Sequence, residues 1–302
     1  MLISRNTVVV FAAMLGATVS CTRRDAANKM EDRIVVFNAG SLARPLRAAL
    51  DTFALREHIE IEQENAGSLE SARKLTDLHR TPDVLGGADY EVFPNLLMPR
   101  RVHWYLLYAR NRMVIAYTDK SHFASQITSQ SWWDILARPG VQVGRSDPNL
   151  DPNGYRALIV MRLAESYYHS PGLERRLLAN SSIPVVRPKE VDLLGLLQAG
   201  ELDYIWSYES VARATGLRYV SLPDSIDLGT PADSSAYARA AARVLGRTPS
   251  DTITLRGEPI LYALSIPADA PHPALAARFV AFLMSGDGRR IVRREHLDAL
   301  DA

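Results

Sequence analysis

The order in which short β-branched runs and helical periods alternate constrains this chain most. Residues 33–37 (RIVVF) read as a strand, and 42–53 as a helix with Leu42, Leu46, Leu50 and Phe53 on one face. Residues 59–61 are the next strand, 69–78 the next helix, and 83–85 a third strand. A βαβαβ rhythm of this kind predicts a parallel sheet covered on both faces. A second series opens with the strand 113–117 (MVIAY). It continues through a short helix at 132–136, a strand at 141–143, a helix at 154–168, a strand at 184–186, a helix at 191–197 and a strand at 204–206. Residues 223–248 are polar and read as a peripheral excursion. Residues 258–266 return as a strand before terminal helices at 274–284 and 288–296. Two such series make an α/β chain of two lobes, crossing near 111–118 and again near 260–267. Lobe 1 then comprises 33–112 plus 262–302, and lobe 2 comprises 113–261. Ligands of open α/β sheets bind beyond the carboxyl ends of the strands, and here two such edges can face each other.

A chain of 302 residues, 47% apolar and 23% charged, is large enough for two cores. Its net charge of +1, with no basic stripe, argues against a nucleic-acid surface and leaves a small molecule as the expected partner. Arg5 precedes an apolar run over 8–17 that is too short to span a bilayer, so 1–20 reads as a signal peptide. Thr18-Val19-Ser20-Cys21 resembles the lipobox of bacterial lipoproteins, with threonine where leucine is usual. On that reading Cys21 is the lipidated first residue and 21–32 carry the lipid and a polar tether; ordinary signal cleavage nearby is the other reading. Cys21 is the sole cysteine, which leaves the exported domain without a disulfide or a thiolate metal site.

Three stretches stand where strands end and helices start. Residues 146–156 (SDPNLDPNGYR) spend two Asp-Pro pairs on one turn. Proline holds each aspartate extended, Asn-Gly is expected to supply a tight positive-φ turn, and Asp151 is presented at a helix N-terminus, where a cap is the simplest role. Ala39-Gly40-Ser41-Leu42 and Ala66-Gly67-Ser68-Leu69 repeat one tetrapeptide 27 residues apart, each after a strand and before a helix. Each serine alone reads as a cap; the shared topological position favours a common ligand, since paired helix N-termini cradle anions. In the second series Lys189-Glu190 opens a helix and Ser207-Tyr208 ends a strand with a phenol. Hydroxyls and N–H groups without an obligatory cation suit a tetrahedral oxyanion.

These residues carry a resemblance to the substrate-binding proteins of molybdate or tungstate ABC transporters, in the variant typified by archaeal tungstate-binding proteins. The matching motifs are AGSL (39–42), GSLESARKLTDL (67–78), ADY (88–90), ARNRMVIAYTDKS (109–121), DPNLDPNGYR (147–156), RPKEVDLL (187–194), AGELDYIWSYESVA (199–212) and GEPILYALSIP (257–267), within a resemblance that runs over roughly 34–290. The resemblance implies a type II periplasmic-binding-protein fold whose two lobes, joined by a two-crossing hinge, close over a molybdate or tungstate dianion. It implies that Ser41, Ser68, the backbone around Asn153 and Glu190, and the Tyr208 hydroxyl bind the oxyanion oxygens. It also implies that Asp151 and Glu190 approach the metal centre. Related chains often carry an acid just before the tyrosine, where this one has Ser207; Glu209 follows instead and is the alternative second carboxylate. The implied protein is exported, monomeric, free of cofactor, not an enzyme, anchored on the periplasmic or outer side of a membrane, and partnered by a permease.

Carboxylates bind sulfate poorly, because a dianion beside them in a desolvated cleft is repelled by on the order of several kcal/mol. Molybdenum(VI) and tungsten(VI) can expand their coordination, so a carboxylate oxygen can become a ligand to the central atom. The sequence does not rank the two metals. Phosphate, sulfate or an organic acid on the same fold is the nearest rival; phosphate would need one acceptor and not two. A hydrolase using Asp151 and Glu190 as acid and base is a rival of another class, though no G-x-S-x-G, H-E-x-x-H or G-x-x-x-x-G-K motif accompanies them. The seven histidines form no ligand spacing, and Trp132-Trp133 reads as packing. A lipid-anchored interaction module with no small ligand is the third reading.

Overall fold

The computed structural model describes residues 33–246 and 250–301, so the expected leader, Cys21 and the tether lie outside the described residues. The chain begins with β1 (Arg33–Ala39), α1 (Ala43–Glu57), β2 (Glu60–Ala66), α2 (Ser68–Thr76), β3 (Val84–Gly87) and β4 (Leu106–Arg110). It then forms β5 (Met113–Tyr117), α3 (Trp132–Leu136), β6 (Val143–Ser146), α4 (Pro152–Tyr167), α5 (Leu173–Ala179), β7 (Val186–Arg187), α6 (Asp192–Ala199), β8 (Tyr204–Tyr208), α7 (Glu209–Ala214) and β9 (Arg218–Ser221). After α8 (Ser234–Tyr237) and the strands β10 (Ala241–Leu245) and β11 (Thr252–Arg256) come β12 (Leu261–Ser265), α9 (Pro273–Met284), α10 (Gly286–Arg294) and β13 (Asp298–Ala299).

Two sheets result. The first has the order β13-β4-β12-β3-β1-β2 and the second β7-β6-β8-β5-β9, with β10 and β11 as a separate antiparallel ribbon. Neither main sheet is purely parallel, which corrects the expectation from the βαβαβ rhythm. β1 runs parallel to β2 and β3, but β12 returns antiparallel between β3 and β4. In the second sheet β6 is parallel to β7 and β8, while β5 opposes β8 and β9. β5 enters the second sheet directly from β4 of the first with no covering helix between them, and β12 enters the first sheet from the β10–β11 ribbon.

Helices cover the sheets with their apolar stripes. In α1 the buried Leu46, Ala49, Leu50 and Phe53 recur at three- and four-residue spacing. The helix stops at His58, whose left-handed backbone (φ 57°) turns the Ile59 N–H back to Ala54 O (3.2 Å). Helix α4 is buried almost all round near its start, because it lies between the second sheet and the first lobe. In lobe 2 Trp132 meets Trp206 edge to face at 5.8 Å, filling the space under β8.

The crossings lie side by side. Asn111 and Arg112 link β4 to β5, and Asn111 N donates to Ile260 O (3.1 Å), just before β12. The Asn111 amide donates to Ser210 Oγ (2.7 Å) and Tyr262 Oη (3.0 Å), and its Oδ1 accepts from the N–H of Arg112 and of Ser210. One side chain thereby ties both crossings to both lobes. Two expected strands move: 141–143 becomes Val143–Ser146, and the proline at 184 puts Ile183–Val185 into a single 3-10 turn ahead of β7.

Candidate functional site

Ala39 and Ala66 are register partners at the ends of β1 and β2, so the two repeated tetrapeptides stand next to each other at the same sheet edge. Neither serine caps its helix, contrary to the simplest sequence reading. Ser41 lies in a short 3-10 turn and its Oγ accepts from Tyr262 Oη (2.9 Å). Ser68 is the first residue of α2, with Gly67 at the cap position, and its Oγ accepts the Ala88 N–H (2.9 Å). Both hydroxyls are buried and both have spent an acceptor site, which leaves each proton to be donated.

Asp151 does cap α4, with Pro152 as first helical residue. Asn153 and Gly154 lie inside the helix, and Gly154 does not have positive φ. Glycine is required there for closeness: a Cβ would overlap Ser146 O and the backbone of Asp147 and Pro148. The Asp151 carboxylate accepts from Asn153 N (3.3 Å) and Glu190 N (2.7 Å), so the two N–H groups expected to reach an oxyanion are spent on Asp151 in this structure. The side chain of Asn153 turns inward, accepting from Ser146 Oγ at 3.4 Å.

Glu190 sits in the turn ahead of α6, only 1% exposed. Its Oε1 accepts from Ser207 Oγ (2.5 Å) and Tyr208 N (2.7 Å), while its Oε2 is buried with no hydrogen-bond partner among the described residues. Burial pushes the Glu190 carboxyl up to about 8, and the neighbouring Asp151 adds to the rise. Burial also lifts Asp151, to about 6, against the pull of the two N–H groups it accepts. Glu209 lies elsewhere. It pairs with Arg112 (3.4 Å) and Arg213 (3.8 Å) beside a cavity of about 400 Å³ at the back of the hinge. The guanidinium groups around that cavity already have carboxylate partners, which makes it a poor place for a further anion.

The Tyr208 hydroxyl accepts from Arg156 Nη1 (2.8 Å), and burial raises its pKa well above that of an ordinary phenol. Its ring meets that of Tyr262 at 6.0 Å, and Tyr262 holds Ser41. Ser41, Ser68, Asp151, Glu190 and Tyr208 are therefore linked into one buried cluster between the lobes. The lips of the cleft touch around it: Glu70 N donates to Leu150 O (3.2 Å), Arg73 Nη1 to Asn149 O (2.6 Å) and Lys189 Nζ to Asn65 O (3.2 Å). A side chain on Gly67 would run into Leu150 O, so the second glycine of the repeat permits this approach.

Sequence reasoning missed Arg156, Asp89, Tyr262 and Ser207 as parts of the site. Arg156 and Asp89 lie inside the quoted motifs, and a charged residue in the first turns of an otherwise buried helix was the available signal. Among the described residues no group of three or more His, Cys, Asp or Glu could hold a metal ion, and no helix is long and apolar enough to cross a membrane.

Residues 34–298 match the family model of bacterial extracellular solute-binding proteins. The chain is 42% identical over 291 positions to an uncharacterized solute-binding protein of Petrotoga mobilis, covering 96% of this chain and 89% of that one. It is 35% identical over 324 aligned positions to the molybdate/tungstate-binding protein WtpA of Thermococcus kodakarensis, covering 98% and 90%. Among solved structures, the periplasmic molybdate-binding protein of Azotobacter vinelandii superposes with a TM-score of 0.63 over 87% of this chain and 98% of that one; at 14% identity this shows the fold alone.

Proposed function

The chain belongs to the family of bacterial extracellular solute-binding proteins, exported proteins that bind their solute without transforming it, and from that premise we propose that it captures molybdate or tungstate between its lobes for an ABC permease. The observation that carries this reading is the pair of buried carboxyl groups set among hydroxyl donors, with Glu190 Oε2 lacking a partner among the described residues. Ser41, Ser68 and Tyr208 each have an acceptor site filled from the protein, so their protons are available to oxyanion oxygens. Asp151 sits in a nest of N–H groups that an anion would otherwise occupy. As Asp151 turns an oxygen to the metal centre, the N–H groups of Asn153 and Glu190 pass to the anion.

The carboxylates separate this reading from a sulfate or phosphate binder. Once ionised they repel a dianion unless the central atom takes their oxygens as ligands, and Glu190, pushed up to about 8, has to give up its proton to become such a ligand. The relationship to WtpA proteins, named for molybdate and tungstate, supports the same choice. Sequence alone supports the rest of the proposal: a leader over 1–20, lipid on Cys21, a tether to 32, and a monomer with lobe 1 in 33–112 plus 262–302 and lobe 2 in 113–261.

Calorimetric titration with molybdate, tungstate, sulfate and phosphate tests the reading, together with X-ray absorption of the bound metal. We expect one ion per chain, a coordination number above four, and a Glu190→Ala variant that loses tungstate affinity while sulfate binding holds or improves. A four-coordinate metal with tungstate affinity undiminished in the variant would sink ligation and leave a general oxyanion binder.

A further inference from the structure

We infer that Arg156 is a positioning residue for the Tyr208 hydroxyl, and that it holds that position only while the lobes are shut. Arg156 comes from α4 in lobe 2 and is 4% exposed. Its Nη1 donates to Tyr208 Oη (2.8 Å) on the same lobe and to Ala88 O (2.7 Å) on the other. Its Nη2 lies 3.3 Å from Asp89 Oδ1, and the second oxygen of Asp89 accepts from the Tyr155 hydroxyl. The inference rests on the oxyanion reading and adds the residue that aims one of its donors.

Guanidinium has donors only, so at Tyr208 Oη the phenol must be the acceptor. A phenol has one proton, and with Arg156 on one side of its oxygen that proton is directed away from the arginine. The structure gives it no acceptor among the described residues. The Ala88 peptide connects this donor to the first lobe: its C=O holds Arg156, and its N–H donates to Ser68 Oγ. One peptide therefore sets Ser68 as a donor on lobe 1 while fixing the arginine that sets Tyr208 as a donor on lobe 2. With the lobes apart, Arg156 loses both Ala88 O and Asp89, and the guanidinium is no longer pinned against the phenol.

Charge accounting points the same way. Arg156 is a buried cation that pairs with Asp89 and whose charge also favours the ionised form of Asp151. Buried ion pairs contribute little net stability but strongly penalise removal of one partner. That makes the Asp89–Arg156 pair costly to break and well suited to fixing a geometry.

The test is a double-mutant cycle on tungstate affinity in the full chain. Arg156→Met is made together with Asp89→Asn, so that no lone charge is left buried and no donor faces the phenol, and thermal unfolding checks that the pair variant folds. Tyr208→Phe is the other arm, and all three changes together close the cycle. The pair variant and Tyr208→Phe should each weaken binding tenfold or more, through faster dissociation at an unchanged association rate. The three changes together should be no more than about threefold worse than the pair variant, because the arginine acts through the phenol. Arg156→Lys, which keeps a donor, should recover most of the affinity lost in the pair variant. Losses that multiply across the cycle, or a pair variant that binds like the wild type, would overturn the inference while leaving the oxyanion reading intact. Failure of the unsubstituted chain to bind any oxyanion would overturn both.

Discussion

Glu190 gives the closed cleft a buried carboxyl pushed up to about 8, and replacing it with glutamine should remove one defined piece of pH dependence. The carboxyl is pushed up to about 8 in the folded chain because it is buried with one oxygen unpartnered, whereas an ordinary glutamate titrates near 4.3. The folded state then holds its proton more tightly than the unfolded state does. Stability is greatest below the ordinary value, falls as the pH rises towards about 8, and is flat above it. Asp151, lifted to about 6, adds its own loss only below that pH, so the interval from about 6 to about 8 belongs to Glu190. Two pH units at about 1.4 kcal/mol each set a ceiling of about 3 kcal/mol. Parting of the lobes would hydrate the carboxyl and cap the loss at the cost of opening. Glu190→Gln can still accept from Ser207 Oγ and Tyr208 N, but its new N–H₂ stands where Oε2 has no partner, which costs about 1–3 kcal/mol at every pH. Urea unfolding of both proteins at pH 6 and pH 8.5, without ligand, separates the two effects. The wild type should lose about 1–3 kcal/mol more than the variant between those pH values. Equal losses would refute the reasoning and mean that Glu190 is hydrated in the ligand-free chain.

Two further outcomes follow from contacts that close the cleft and hold lobe 1. Gly67→Ala should leave unfolding free energy within about 0.5 kcal/mol of wild type yet keep the lobes apart, because its methyl would meet Leu150 O and the Asp151 backbone; scattering with saturating tungstate should show no compaction. Asp83→Ala should cost about 3–5 kcal/mol of stability, read by urea unfolding, since the buried carboxylate accepts the N–H groups of Val35 (2.8 Å) and His272 (2.6 Å) and both would be left without a partner.

Much of the fold was legible because its elements are locally self-consistent. Met113–Tyr117 and Trp132–Leu136 appear with the bounds read from sequence. Strands whose residues are long or charged were missed, β4 (LLYAR) and β10 (AARVL) among them, because their pattern does not alternate cleanly. The direction of β12 was not legible at all, since pairing sense depends on where a strand arrives from and not on its residues. The same limit applied to the site. The serines, Asp151, Glu190 and Tyr208 were found as single residues at strand ends. Arg156 acquires its meaning only from Ala88 and Asp89, which lie 68 and 67 positions earlier in the sequence and meet it when the lobes shut.

The place of β12 in the first sheet also dictates when the protein can become itself. Strands β5 to β9 all fall within one continuous stretch, so the second sheet can assemble as soon as that stretch is available. The first sheet cannot. Its middle position between β3 and β4 is filled by Leu261–Ser265, and its outer edge by the two residues of β13 near the chain's end. Until these arrive, β3 and β4 stand as unpaired edges, the arrangement most open to pairing with another chain. The long loops that must close make this the slow half of the molecule. A chain cut short before Leu261 is therefore not a weaker binder but an aggregation-prone half, and competence to capture a solute appears only when the last strand docks.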